Sequence, residues 1–225
     1  MNVVVLVKQV PDTESLIEIN ADASDIKTDN LKWILNPYDE LAVEEGIRIR
    51  EKQGSGKVTV LSVGPDRAAA AIRTALAMGA DAGVLINDPA LEKPDPLATA
   101  KVLAAALKSM PFDVIIAGQR AVDDDSYLVP SAVAEYLGIP LLAMVVRQEI
   151  NARKIRCEQT LQDGTALVEA DLPLLFTTQR GLNQPRYASL PNIMKAKKKP
   201  LETRDLAALG LDAAQIGAAA LKTRI

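Results

Sequence analysis

Three consecutive aspartates, Asp123, Asp124 and Asp125, lie between an apolar run, DVIIAG, and a helix-like run, SAVAEYLG, that begins near Pro130. Three chemistries are open to such a triplet. It could hold a divalent cation through oxygen ligands, although adjacent side chains point in different directions and no second cluster completes the site. One aspartate could cap the following turn while another meets a ribose hydroxyl, as acids do in dinucleotide folds. Or the three form a solvated acidic turn. A phosphate would bind at the helix start, Val129 to Ala132, through backbone N–H groups. Neither G-x-x-x-x-G-K-[ST] nor G-x-G-x-x-G is present, so the P-loop and standard Rossmann readings lose their main support. Two further segments fall at the carboxyl ends of strands or at a helix start, where such folds bind ligands: Val7-Lys8-Gln9-Val10-Pro11-Asp12 and Asn36-Pro37-Tyr38-Asp39.

The chain contains no histidine, which removes imidazole as metal ligand, general base or triad member. The single cysteine, Cys157, lies in the alternating run KIRCEQ and reads as a strand residue. One cysteine rules out a disulfide framework and points to a reducing compartment. Binding or carrying suits this composition better than acid–base catalysis. A net charge of −3 and an aromatic content of 3% argue against nucleic acid, which needs a basic surface or stacking rings. Apolar runs fall short of the roughly 20 residues of a membrane span, so no membrane insertion is expected. The N-terminal run MNVVVLVKQV lacks the features of a secretory signal, and a cytoplasmic location (mitochondrial matrix in a eukaryote) is expected.

The elements that must position these groups are legible as alternating patterns. NVVVLV, KVTVLSV, AGVLI, DVIIAG and PLLAMVV are continuous apolar runs of the kind buried on both faces in parallel sheets. Between them lie helical patterns with recognisable ends. Asn36-Pro37 and Asp95-Pro96 read as N-caps followed by proline at the first helical position, and Gly79 and Gly138 read as stops. The alternation predicts an α/β fold: a doubly wound, mostly parallel, Rossmann-like sheet with right-handed crossovers. Ligands of such sheets bind at the carboxyl ends of the strands, near the strand-order switch. Residues 15–35 read as a hairpin or irregular excursion. Three short alternating segments after Val146, with turns at Asn151-Ala152 and Asp163-Gly164, predict an antiparallel meander at the sheet edge. The expected division is an α/β domain over 1–185, then a final loop and C-terminal arm over 186–225 that either wraps a partner subunit or packs back on its own domain.

The run from Asn183 to Pro200, NQPRYASLPNIMKAKKKP, follows the strand-like segment LPLLFTT. Its prolines predict irregular backbone, with Tyr187, Leu190, Ile193 and Met194 as apolar tips beside Lys195, Lys197, Lys198 and Lys199. Two readings stand: a surface loop whose apolar residues fold inward, or a segment presented to a partner, with the lysines steering toward an acidic surface.

NPYDELAVEE, IRTALAMGAD, AGQRAVDDD and PRYASLPNIMKAKKK together resemble the beta subunits of electron-transfer flavoproteins, nearly end to end. The resemblance implies an electron carrier rather than an enzyme: a heterodimer with an alpha subunit that holds most of the FAD, and AMP bound structurally in this chain. Electrons would come from acyl-CoA dehydrogenases and pass to a membrane quinone oxidoreductase. Carried over by position, the nucleotide site comprises Leu6, Lys8, Asn36, Pro37, Tyr38, Asp39 and Val63, with Ala121, Val122, Asp123, Asp124, Asp125, Ser126, Val129, Pro130 and Ser131. The partner-binding residues are Tyr187, Leu190, Pro191, Ile193, Met194 and Lys195, with Leu190 as anchor. The chain departs from the family pattern in having Val129 and Pro130 where AMP-holding members have a threonine and a glycine, and Thr13 where an aromatic residue often meets the flavin. A bifurcating subgroup holds a second FAD in this domain and usually has glycine where Asp124 stands. A reading of another class is a metal-dependent nucleotide-hydrolysing α/β enzyme using the aspartate loop.

Overall fold

A computed structural model describes residues 1–217 and 220–223. The expected parallel strands form: β1 (Val3–Leu6), β4 (Val58–Val63), β5 (Ala82–Ile86) and β6 (Val114–Gly118). With β7 (Leu141–Asn151), β8 (Lys154–Leu161), β9 (Gly164–Asp171), β10 (Leu174–Thr178) and β11 (Leu201–Arg204) they make one nine-stranded sheet of order β11-β5-β4-β1-β6-β10-β7-β8-β9. From β1 the chain winds outward through β4 and β5, then returns to β6 on the other side of β1. That reversal is the switch point of a doubly wound sheet.

Strand β1 shows why the apolar runs are continuous. Val3 and Val5 join a core covered by α1 (Pro37–Gln53) and α2 (Ala69–Met78). Val4 and Leu6 face the opposite core, under α3 (Pro96–Lys108) and α4 (Leu128–Leu137). The Asp95 carboxylate caps α3 by accepting from the Ala98 N–H at 2.7 Å. Gly54 and Gly138 close α1 and α4 in the left-handed conformation, at φ 72° and 65°.

The meander forms as expected, but its first run is continuous with the predicted parallel strand PLLAMVV. β7 continues from its parallel pairing with β10 into antiparallel pairing with β8, across an irregularity near Val145. Met144, at φ 54°, marks the irregularity, a bulge that shifts the register against β10. The excursion at residues 15–35 is irregular, with one bridge between Ile19 and Ile26. At its ends β2 (Gln9–Pro11) and β3 (Trp33–Leu35) pair antiparallel and return the chain to α1.

The segment expected to be irregular contains a helix, α5 (Leu190–Ala196). Pro191 lies in its first turn, where no N–H is needed, so the proline starts a helix instead of breaking one. The rhythm then continues into β11, which pairs in parallel with β5 at the far sheet edge. Beyond it Leu206 and Ile216 are buried in the α3–α4 core, and Asp95 accepts the N–H groups of Lys222 and Thr223 at 2.6 and 3.1 Å. The expected C-terminal arm also includes residues 218–219 and 224–225, which lie outside the described residues.

Phe176 of β10 is fully buried at the centre of the α1–α2 core. Phe176→Ala is expected to lower stability by about 3–5 kcal/mol, the cost of lost burial plus a cavity. Urea unfolding of the two proteins would show this as a lower midpoint, and a shift under about 1 kcal/mol would mean the core closes over the gap.

Candidate switch-point site and docking segment

The carboxyl ends of β1 and β6 lie side by side, with Leu6 in register with Ala117. Asp39, in the first turn of α1, binds both strand ends at once. One of its carboxylate oxygens accepts the Lys8 N–H at 2.7 Å and the other the Gly118 N–H at 3.1 Å. Gly118 leaves room for this approach, because a Cβ there would stand 2.3 Å from Asp39 Oδ1 and 2.8 Å from Tyr38 Cβ. Burial pushes the Asp39 carboxyl up to about 7, against the pull of the N–H donors and of Lys8.

Asn36 departs from its expected role. Its side chain makes no cap bond to α1. Instead Nδ2 donates to the Arg120 carbonyl at 2.9 Å and Oδ1 accepts the Val122 N–H at 3.3 Å, while its backbone N–H reaches the Lys8 carbonyl at 3.0 Å. One buried amide thus joins the segments after β1, before α1 and after β6.

The aspartate triplet is divided between two cations. Lys8 Nζ donates to Asp123 at 2.8 Å and Asp124 at 2.9 Å. Burial acts against the Lys8 ammonium, but the two carboxylates outweigh it and its pKa is raised. Asp125 accepts from Arg120 Nη1 at 2.6 Å, and Arg120 Nη2 donates to the Tyr38 hydroxyl at 2.8 Å. Among the described residues no group of three acids, cysteines or histidines could hold a metal ion. The carboxylates face an ammonium and a guanidinium, which removes the support for a cation site at this loop. Asp125 and Tyr127 take left-handed φ values of 52° and 58°, turning the chain sharply into α4.

The remaining site candidates are less drawn together. The Leu6 side chain lies in the α3–α4 core, Val129 packs on that core, and Pro130 is buried. Val63 ends β4, one strand removed from the β1–β6 crevice. The Ser131 hydroxyl donates to the Tyr127 carbonyl at 3.4 Å, within its own helix. Two cationic residues were not foreseen. Arg120 and Arg180 lie 5.0 and 5.7 Å from the centre of the Tyr38 ring. A sequence signal existed: Gln-Arg follows both β6 and β10, and Gln119 bonds Gln179 at 3.2 Å.

The docking candidates stand well away in sequence on α5 and the residue string before it. Tyr187 is 97% exposed, Leu190 73%, Met194 57% and Ile193 42%. Pro191 and Lys195 are exposed beside them. Lys199 does not belong to the exposed cluster: its Nζ donates to the Leu76 and Ala80 carbonyls at 2.9 and 2.6 Å, and burial lowers its pKa.

Fold and site together define a doubly wound α/β domain with a polar, acid-bearing crevice at its strand-order switch. Residues 25–209 match the family described as the electron transfer flavoprotein domain. A Bacillus subtilis protein named electron transfer flavoprotein subunit beta is 45% identical over 94% of this chain and 82% of its own length. Proteins of the same name from Thermoanaerobacterium thermosaccharolyticum and Bradyrhizobium diazoefficiens are 40% and 39% identical, over 100% and 94% of this chain and 86% and 84% of theirs. The chain belongs to the electron transfer flavoprotein family, on its beta-subunit side. No helix among the described residues is long and apolar enough to cross a membrane.

The raised Asp39 carboxyl yields a test with a definite sign. Between about pH 4 and 7 the folded protein holds a proton there that the unfolded chain has released, so stability contributed by this group is present at low pH and is lost as pH rises through about 7. Asp39→Asn also sets an amide NH2 against one of two N–H donors, at a cost of about 1–3 kcal/mol. The stability of the parent minus that of the variant is expected to shrink from pH 5 to pH 8 in urea titrations; a constant difference would show that Asp39 is ionised throughout.

Proposed function

We propose that this chain is the beta subunit of a heterodimeric carrier that takes electrons from acyl-CoA dehydrogenases and passes them to a membrane quinone oxidoreductase. FAD would lie mainly on the alpha subunit, and AMP would be held structurally in the switch-point crevice. The exposure of Tyr187, Leu190, Ile193 and Met194 on one short segment, in a chain of the electron transfer flavoprotein family, carries this reading. Monomeric surfaces scatter their apolar residues singly, and a cluster marks an interaction site.

The crevice residues suit a nucleotide in their chemistry. The Asp123 and Asp124 carboxylates have lone pairs beyond those used by Lys8 and could accept from ribose hydroxyls. The N–H groups of Leu128 and Val129, in the first turn of α4, have no intrahelical partner and could meet a phosphate; Pro130 offers none, and the Ser131 N–H is used in closing the first turn. Two buried polar atoms beside the crevice, Arg120 Nε and Gln119 Oε1, have no hydrogen-bond partner. The flavin, when bound, supplies the redox chemistry. This chain's part is to support the complex, bind the nucleotide and present Leu190 to the dehydrogenase.

Extraction of nucleotides from the purified heterodimer tests the crevice. One FAD and one AMP are expected; two FAD would identify a bifurcating subunit, and FAD without AMP would mean that Val129 and Pro130 leave too few phosphate donors. Replacing the anchor tests the surface. Leu190→Ala should retain its flavin and slow flavin reduction by the dehydrogenase roughly 10- to 30-fold at limiting concentration, the scale of a lost hot spot. An unchanged rate rejects the docking role.

A further inference from the structure

We infer that Arg186, Arg73 and Lys199 are positioning residues that clamp α5 at both ends, so that its apolar tips form a finished surface before any partner arrives. The inference rests on the docking reading above for its consequence, and on geometry for its substance.

The upstream clamp is ionic. Arg186 Nε donates to Glu44 Oε2 at 2.8 Å and Nη2 to Glu44 Oε1 at 3.2 Å, while Nη1 and Nη2 reach the two Glu51 oxygens at 2.8 and 3.1 Å. One guanidinium thus grips two carboxylates two turns apart on the same face of α1. The Glu44 side chain is only 2% exposed. Burial raises its pKa, but Arg186 and Arg48 outweigh that and hold it below the usual carboxylate value. Asn183 Nδ2 adds bonds to the Leu41 carbonyl at 3.0 Å and Glu45 at 2.8 Å.

The downstream clamp is reciprocal. Arg73 of α2 donates through Nη1 to the Ala196 and Lys199 carbonyls at 2.7 and 2.8 Å, closing the end of α5. Lys199 in return donates to the Leu76 and Ala80 carbonyls at 2.9 and 2.6 Å, closing the end of α2. Each helix end has orphan carbonyls, and each is satisfied by a cation from the other segment. Ala196 is the one residue of α5 in the core.

A helix of seven residues is too short to persist unaided in water. Here its outward side chains lie free in solvent while its flanks carry the bonds. Fixing the segment beforehand removes the ordering cost from the docking step, so the clamp acts on affinity and not on the electron-transfer step.

The test uses the complete heterodimer and compares Arg186→Met, Lys199→Met and Arg186→Lys with an exposed control, Lys197→Gln. Amide hydrogen exchange over residues 187–196 should quicken about tenfold in the two Met variants, with the sheet unchanged. The half-saturating dehydrogenase concentration for flavin reduction should rise roughly tenfold at an unchanged saturated rate, a KM effect without a kcat effect. Arg186→Lys, which lacks the two-pronged fork, should fall between, and Lys197→Gln should leave exchange unchanged. Unchanged exchange in both Met variants overturns the clamp. Faster exchange with unchanged half-saturation overturns its role in docking. Should Leu190→Ala itself leave the rate unchanged, the docking reading falls, and the exchange result alone decides the clamp. The two Met variants act at opposite ends of α5, so misfolding of one leaves the other decisive.

Discussion

The architecture turns on a single carboxyl group. Asp39 sits between two parallel strands that run side by side but are distant in sequence, and accepts one N–H from the end of each. Those N–H groups lie where the ladder ends, and the buried Gly118 donor would otherwise lack a partner, at a cost of about 1–3 kcal/mol. The same carboxyl fixes the start of α1 against the sheet. Gly118 must therefore lack a side chain, and Asn36 is drawn away from its helix to join the loop after β6. The Thr178 hydroxyl, which donates to the Tyr38 carbonyl at 2.9 Å, ties β10 to the same point.

From that start α1 carries its consequences along its length. Its first turn lines the crevice, and the following turns carry Glu44, Glu45 and Glu51 to the root of the docking segment. Crevice and candidate docking segment are thus attached to one helix. The helix is short of apolar residues for one so largely covered, and the buried glutamates explain this. Their partners arrive from Arg186, Asn183 and Gln148, which come from the strand and loop segments laid across it.

Much of this was readable from local pattern. Runs such as VVVL and VIIAG announce strands covered on both faces, and Asp95-Pro96 announces a capped helix; both depend on residues adjacent in sequence. Asp39 and the aspartate loop could be named as candidates because the fold type dictates where ligands sit. What stayed hidden was long-range. Nothing near Leu174 says that β10 inserts between β6 and β7, because that pairing joins residues far apart in sequence. Pro191 looked like a breaker, yet proline is compatible with a first helical turn, and whether a helix follows depends on Arg73, more than a hundred residues away in sequence. The lysine run looked uniform, and only the position of the α2 carbonyls distinguishes Lys199 from its neighbours.

That distinction alters the electrostatic account of the docking face. With Lys199 turned inward, Lys195, Lys197 and Lys198 are left to provide positive charge beside the apolar tips. Exposed charges separated from a partner by water act over about 10 Å at ordinary ionic strength, so they raise encounter rates without fixing orientation. Orientation needs the apolar contacts, and those need a backbone that is already in place. On the proposed docking role, the clamped ends and the free lysines would divide the work between them, the lysines acting before contact and the held helix at contact. Such a division would suit the brief, repeated encounters proposed for this chain, because a carrier that folded its docking segment on each partner would pay the ordering entropy at every transfer.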